Sequence, residues 1–287
     1  MTHTDPTQPS PTGERVNKWS PGGAICSRVA VGGAGAVGGA GAVAAVAGTV
    51  TVAGMIATPL LPQGGRARRV LSSVVVLGSF ATTTANAVRR WGGPRVGAAA
   101  SITAVGTTAI ERIGTSTGLP FGRYAYTSAL RPQVAHVPAI VPLAWFAMGL
   151  PAREAAHAAL GDRSTRASRI VLGSAALTAW DLFLDPQMVG EGYWVWARRG
   201  IYRGIPVSNF VGWFLTGLAV MAVLEAALPP GDDAVDADGP LVAEYGFMAA
   251  METIGFAKYF RDPLVALVGG LAMLPIGSAA AVRKLRG

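Results

Sequence analysis

The sequence predicts an all-α protein, a polytopic transmembrane helical bundle of about 8 helices, with 7 as the alternative. Only 14% of its residues are charged and 51% are hydrophobic, whereas soluble domains carry about 25% charged residues. The apolar residues form long runs without charge, and a run of about 20 lets a helix cross the hydrocarbon core of a bilayer. Lys and Arg gather between these runs, as in loops that flank membrane helices. We therefore expect a multi-pass protein of the cell membrane.

Each apolar run gives one predicted helix, and the seventh carries the weakest pattern. The predicted helices are Val29–Leu61, Val70–Val88, Arg95–Ile113, His136–Leu150, Ile170–Leu184, Pro206–Leu228, Leu241–Ala257 and Pro263–Val282. Gly35 and Gly39 have the spacing of small residues that lets membrane helices approach closely. Pro138 and Pro142 predict a kink in the fourth helix. The charged segment Pro151–Arg169 is interpreted as a polar loop or an interfacial helix.

The chain divides into a short polar tail and one membrane domain. Residues 1–28 are rich in Pro, Thr and Gly, which predicts a disordered tail. Residues 29–287 are predicted to form a single transmembrane domain, with its site in residues 111–225. The net charge of +8 is interpreted as anchoring at lipid headgroups, so no nucleic acid is expected as a partner. A single cysteine, Cys26, permits neither an intramolecular disulfide nor a Cys-based metal site.

Two aspartates at the end of the fifth apolar run are the first candidates for chemistry. Asp181 and Asp185 are four residues apart, so a helix places them on one face. Ionisable groups in membrane helices are costly and are functional candidates by default. Two close, poorly hydrated carboxyls should not both be ionised at neutral pH, and an acid beside a carboxylate suits acid–base catalysis. The alternative is a turn capped by Asp185 and an ion pair from Asp181 to Arg198, Arg199 or Arg203.

Four glutamates are further candidates, with different expectations. Glu111 ends the third predicted helix, where an interfacial ion pair with Arg112 is the alternative to a catalytic role. Glu225 ends a helix beside a loop and is expected to be solvated. Glu244 and Glu252 lie near no motif and are expected at the surface or in interhelical pairs.

Other kinds of site find little support in the sequence. Its three histidines, His3, His136 and His157, do not form the clusters that membrane di-iron enzymes need, so no metal and no cofactor are expected. The sequence contains neither the G-x-S-x-G elbow of a hydrolase nor a phosphate-binding G-x-x-x-x-G-K-[ST] loop.

Aromatic residues lie close to the aspartates in the sequence. An interfacial aromatic belt is the alternative to a site, yet aromatic faces also stabilise cations. The substrate-binding candidates are Phe121, Tyr124, Tyr126, Trp194, Trp196, Tyr202 and Asn209.

Four motifs together resemble the carotenoid biosynthesis protein family, which includes hydratases of γ-carotene-type and bisanhydrobacterioruberin-type ends. The resemblance covers roughly Glu111 to Glu225. The motifs are GLPFGRYAY (118–126), AWDLFLDPQM (179–188), GYWVW (192–196) and YRGIPVSNF (202–210).

The resemblance implies a cofactor-independent carotenoid hydratase, a hydro-lyase that adds water across the terminal isopropylidene double bond of a linear carotenoid in the bilayer. Asp181 or Asp185 would be the acid, and Glu111 a second base or the group that orients water. Other carotenoid biosynthesis enzymes are possible partners. The alternatives are a carotenoid or isoprenoid isomerase or cyclase-type enzyme, and a non-catalytic carotenoid-binding membrane protein. Alternating helix directions place the loops after the third and fifth helices on the same membrane side.

Overall fold

The computed structural model describes residues 23–230 and 237–286, with side chains from residue 38 onward. The helices are α1 (Gly23–Ala57), α2 (Arg66–Trp91), α3 (Gly93–Thr117), α4 (Ile140–Leu160), α5 (Arg166–Gly190), α6 (Val207–Ala227), α7 (Gly239–Lys258) and α8 (Pro263–Arg286). The strands are β1 (Tyr124–Tyr126), β2 (Gln133–Val134), β3 (Val137–Pro138) and β4 (Trp194–Trp196). The described residues from Gly39 onward form one compact unit, and those before Gly39 group separately.

The predicted all-α bundle of eight helices is confirmed within the described residues. Five of these helices are long and apolar enough to cross a membrane. They comprise Gly38–Leu60 and the helices α2, α5, α6 and α8. Most of the predicted polar tail lies outside the described residues, and its disorder stays a prediction.

Helix α4 lies at the centre of the bundle. It contacts α2, α3, α5, α6, α7 and α8, and its residues 145–158 are all buried. Much of this stretch is Ala and Gly, whose small side chains let the surrounding helices approach closely. Because protein covers α4 on every side, this helix does not need the uniformly apolar surface of a lipid-facing helix.

The prediction of a loop or interfacial helix at Pro151–Arg169 is wrong for its first ten residues, which complete α4. Arg153 and Glu154 are fully buried and form an ion pair 2.5 Å long. Arg153 also donates to the carbonyl oxygen of Leu224 at 3.1 Å and to that of Leu228. These charges are therefore neutralised inside the protein, near the end of α6.

Proline and glycine act at positions other than the predicted ones. Pro138 lies in β3 and Pro142 in the first turn of α4, so neither kinks the helix interior; Pro151 is the proline inside α4. Gly35 lies outside the residues whose surroundings are described, and a Cβ on Gly39 would meet nothing within 4 Å, so the structure shows no close packing at Gly39. At Gly54, a Cβ would lie 2.7 Å from Val75, so the close approach of α1 and α2 requires glycine at this point.

Candidate active site

The loops that follow α3 and α5 meet in a short antiparallel ribbon. Strand β1 pairs with β4, with Tyr124 opposite Trp196 and Tyr126 opposite Trp194. The structure therefore confirms that the two motif-bearing segments converge at one end of the bundle. Cross-strand aromatic pairs stabilise such ribbons, and the rings of Tyr126 and Trp194 pack edge to face at 5.7 Å.

Helix α5 places Asp181 and Asp185 together, and a single amide joins them. The Asn209 Nδ2 atom donates to Asp181 Oδ2 at 2.8 Å and to Asp185 Oδ2 at 2.7 Å. Trp194 Nε1 donates to Asp185 Oδ1 at 2.5 Å. All three of Asp181, Asp185 and Asn209 are at most 3% exposed. Because buried carboxyls need hydrogen-bond donors to offset their lost hydration, Asn209 is central to this arrangement.

The alternative interpretation of the aspartates does not fit the structure. Helix α5 continues past Pro186 to Gly190, so Asp185 caps no turn. Among the described residues, no ion pair joins Asp181 to Arg198, Arg199 or Arg203. Arg203 pairs with Asp262 at 2.5 Å, whereas the hydrogen bond to Asp181 comes from Asn209.

Glu111 receives three hydrogen bonds from aromatic side chains. Tyr126 donates its hydroxyl to Glu111 Oε2 at 2.8 Å, Tyr124 donates to the same oxygen, and Trp145 Nε1 donates to Oε1 at 3.3 Å. Burial raises the pKa of the Tyr124 and Tyr126 phenols, and the adjoining Glu111 carboxyl raises both further. Both phenols therefore remain donors at neutral pH, and a carboxylate is the acceptor such a set of donors suits.

Glu111 and Asp185 face a common cavity of about 50 Å³, called here the carboxylate pocket. A water molecule needs roughly 10–15 Å³ of such volume, so the pocket has room for water beside the two carboxyls. Asp181, which accepts from the same amide as Asp185, is not among the residues that line the pocket. The lining residues are Val76, Glu111, Phe121, Tyr124, Tyr126, Leu130, Ile140, Val141, Ala144, Trp145, Leu184, Asp185, Met188, Trp194, Trp196, Asn209 and Trp213.

Two polar atoms of the site are buried without a hydrogen-bond partner among the described residues: Asp181 Oδ1 and Trp196 Nε1. An unpaired buried polar atom costs about 1–3 kcal/mol, so such atoms are uncommon in folded proteins. Trp196 lines the carboxylate pocket, and its N–H group is suited to hold a water or a substrate oxygen there.

One predicted binding residue lies outside the pocket. Tyr202 donates its hydroxyl to the Leu182 carbonyl at 2.8 Å, and its ring packs edge to face on Phe210. It therefore fixes the loop after β4 against α5, and it does not orient a carboxyl.

Two tryptophans that the sequence analysis did not select belong to the site. Trp145 and Trp213 stack with ring centroids 4.0 Å apart, and both line the carboxylate pocket. The sequence signal for both residues was a tryptophan inside an otherwise apolar helix. A buried indole N–H needs a hydrogen-bond partner, so such a tryptophan indicates a polar group nearby.

The remaining acidic candidates lie elsewhere. Glu225 is buried and pairs with Arg169 at 2.7 Å, so the expectation of a solvated group is wrong. Glu244 accepts hydrogen bonds from Thr83 and Asn86 of α2, which agrees with an interhelical role. Glu252 lines a separate, larger cavity. Within the described ranges, no three His, Cys, Asp or Glu side chains converge as a metal site requires.

Comparison with known proteins supplies a family and one curated relative. Residues 70–275 match the family described as carotenoid biosynthesis protein. A bisanhydrobacterioruberin hydratase of Haloarcula japonica is 31% identical over 118 residues, which is 40% of each chain. The chain thus spans less than half the length of that relative. No solved structure matches.

Proposed function

Because the chain belongs to the carotenoid biosynthesis protein family, we propose that it is a multi-pass hydratase of the cell membrane. It adds water across the terminal isopropylidene double bond of a linear carotenoid end, and the product is a tertiary alcohol. The partial similarity to a bisanhydrobacterioruberin hydratase supports this choice. Water addition is redox-neutral, so the proposed hydro-lyase needs no redox cofactor.

The observation that carries the proposal is the pair of carboxyls, Glu111 and Asp185, that face one aromatic pocket. An unactivated alkene has to be protonated by a well-placed acid, and the resulting cation has to meet one water rather than bulk solvent. None of the described residues that line the pocket is basic, so its electrostatics favour a cation. Aromatic faces contribute about 0.5–2 kcal/mol each to such stabilisation.

Asp185 is the proposed acid. Its O–H bond breaks as a C–H bond forms at the less substituted alkene carbon, and the π electrons supply the new bond. The neighbouring carbon becomes a tertiary cation. Asp181 is the proposed positioning residue, since it shares the Asn209 donor with Asp185 and lies outside the pocket. One proton shared by this pair keeps an acid available at neutral pH.

Glu111 is the proposed base. A water oxygen bonds to the tertiary carbon and releases a proton to the Glu111 carboxylate, which Tyr124, Tyr126 and Trp145 hold in place. Return of that proton to Asp185 through pocket water restores the starting state. General acid–base catalysis of this kind typically contributes about 10²–10⁴-fold to a rate.

Isomerisation or cyclisation would begin with the same protonation, and it would end by loss of a proton instead of capture of water. The room for water in the pocket and the unpaired Trp196 N–H favour hydration. Product mass separates the two: hydration adds one water, and isomerisation or cyclisation adds nothing. Association with other carotenoid biosynthesis enzymes remains part of the proposal.

The test is expression in a lycopene-accumulating host, with mass analysis of the extracted pigments. The wild-type chain should add one water to an end group. Asp181→Asn and Asp185→Asn should each abolish hydration while the protein still inserts into the membrane, and Asp162→Asn, an exposed control, should remain active. Full activity of both site variants would contradict the acid–base assignment.

A further inference from the structure

A second cavity, of about 360 Å³, lies beside the carboxylate pocket and is called here the methionine chamber. It lies among α1, α2, α4, α5 and α7. Five of the chain's 8 methionines line it. These are Met55, Met148, Met188, Met248 and Met251. Methionine is flexible and polarisable and makes favourable contacts with π systems, so such a lining suits a long unsaturated chain.

The methionine chamber and the carboxylate pocket are adjacent and share part of their walls. Five residues line both cavities: Val76, Ile140, Ala144, Leu184 and Met188. A chain held in the chamber would therefore have one end next to the pocket that contains Asp185 and Glu111. The groove of about 540 Å³ between α3 and α6 shares no lining residue with the carboxylate pocket.

The rim of the methionine chamber is apolar and exposed. Ile56 at the end of α1 is 54% exposed, and Ile254 on α7 is 48% exposed. Both line the chamber. An exposed apolar rim of this kind suits contact with lipid tails, the side from which a bilayer-dissolved molecule would enter.

Glu252 and Trp180 each bring to the methionine chamber a polar group that has no hydrogen-bond partner within the described ranges. Glu252 is the one carboxyl among the described residues that line it, and its oxygens make no hydrogen bond within the described part of the chain. The Trp180 Nε1 atom is buried and likewise has no partner there. A purely hydrocarbon ligand would leave both groups unpaired at an energetic cost.

We propose that the methionine chamber binds the chain of a linear isoprenoid that carries a hydroxyl group, with Glu252 as the hydrogen-bond partner of that hydroxyl. A hydroxyl can donate to a carboxylate and accept from a carboxylic acid, so either protonation state of Glu252 serves. The inference rests on the proposed function, and it adds a selection for oxygenated over purely hydrocarbon chains.

Binding without turnover tests the chamber. Wild-type protein and variants in lipid nanodiscs are titrated with a linear carotenoid that bears a hydroxyl and whose terminal isopropylidene double bonds are saturated, so that no water can be added. Ala147→Trp inside the chamber and Met251→Trp on its wall should each weaken binding at least tenfold. Ala219→Trp, which fills the groove between α3 and α6, should bind as wild type. Binding unchanged in Met251→Trp and in a folded Ala147→Trp would overturn the proposal.

Selectivity tests Glu252. The ratio of affinities for the hydroxylated carotenoid and its unhydroxylated analogue should fall about tenfold in Glu252→Leu, as loss of one hydrogen bond predicts. Glu252→Gln keeps a donor and an acceptor and should recover most of that ratio. Equal ratios in wild type and Glu252→Leu would overturn the role of Glu252.

The binding and turnover measurements separate this inference from the proposed function. Carotenoid binding that chamber variants abolish, without water addition by wild type, would uphold the chamber and refute the hydratase. Water addition by wild type, with carotenoid binding unchanged in the chamber variants, would uphold the hydratase and refute the chamber.

Discussion

Replacing Asn209 by Leu tests how the aspartate pair is held. The substitution keeps a similar shape and removes the amide that donates to Asp181 at 2.8 Å and Asp185 at 2.7 Å. With one carboxyl ionised and one neutral, the two hydrogen bonds together stabilise the arrangement of the aspartate pair by about 2–4 kcal/mol. If the pair needs this amide to present its proton, kcat should fall about 30- to 1000-fold. The assay is turnover of a linear carotenoid in nanodiscs, quantified by mass of the hydrated product.

Asn86→Leu is the matched control for this experiment. Asn86 is also buried and donates to a carboxylate, that of Glu244 at 2.5 Å, outside the carboxylate pocket. Both variants should lower the midpoint of thermal unfolding by similar amounts, and Asn209→Leu alone should lower kcat of the folded protein. Wild-type kcat in Asn209→Leu, or equal losses in both, would refute the role of Asn209.

Three further predictions concern the surroundings of the site. Arg153→Met leaves Glu154 buried without its charged partner. The free energy of unfolding should fall by about 3–5 kcal/mol, and kcat per folded molecule should not change. A free energy of unfolding within about 1 kcal/mol of wild type would contradict this prediction. Burial and the Glu111 carboxyl raise the pKa of Tyr124 and Tyr126 in the folded protein. The phenols of the unfolded chain therefore ionise first, near pH 10, and the free energy of unfolding should fall as the pH rises further. In the double variant Tyr124→Phe and Tyr126→Phe, the midpoint of thermal unfolding should fall less steeply between pH 9 and about 12. Trp145→Phe keeps an aromatic ring and removes the indole N–H that donates to Glu111, so kcat should fall about tenfold. An unchanged kcat would show that this donor is dispensable.

Hydrophobic runs were sufficient to predict the eight helices of the described residues, because a helix that faces either lipid or the core of the bundle is rich in apolar residues. The same rule predicted that the fourth helix ends at Leu150, whereas α4 continues to Leu160. Arg153 and Glu154 neutralise each other inside the protein, and nothing in their linear spacing tells that pair from a solvated loop. Glu225 was misjudged for the same reason, since its partner Arg169 lies on another helix.

The spacing of Asp181 and Asp185 was sufficient to place both on one face of α5, and helix alternation placed the two aromatic loops together. Which carboxyls face a shared cavity depends on side-chain directions across three helices, so the pairing of Glu111 with Asp185 needed the structure. Trp145 escaped notice because an apolar helix gives no signal of which residue its N–H will meet.

The most direct test of the hydratase uses isotopically labelled water. Membranes that contain the wild-type chain are supplied with a linear carotenoid in water enriched in oxygen-18, and the product is analysed by mass spectrometry. The proposed function predicts a tertiary alcohol in which the new oxygen is oxygen-18, formed by wild type and not by Asp185→Asn. A product of unchanged mass, or an alcohol oxygen that carries no label, would contradict it.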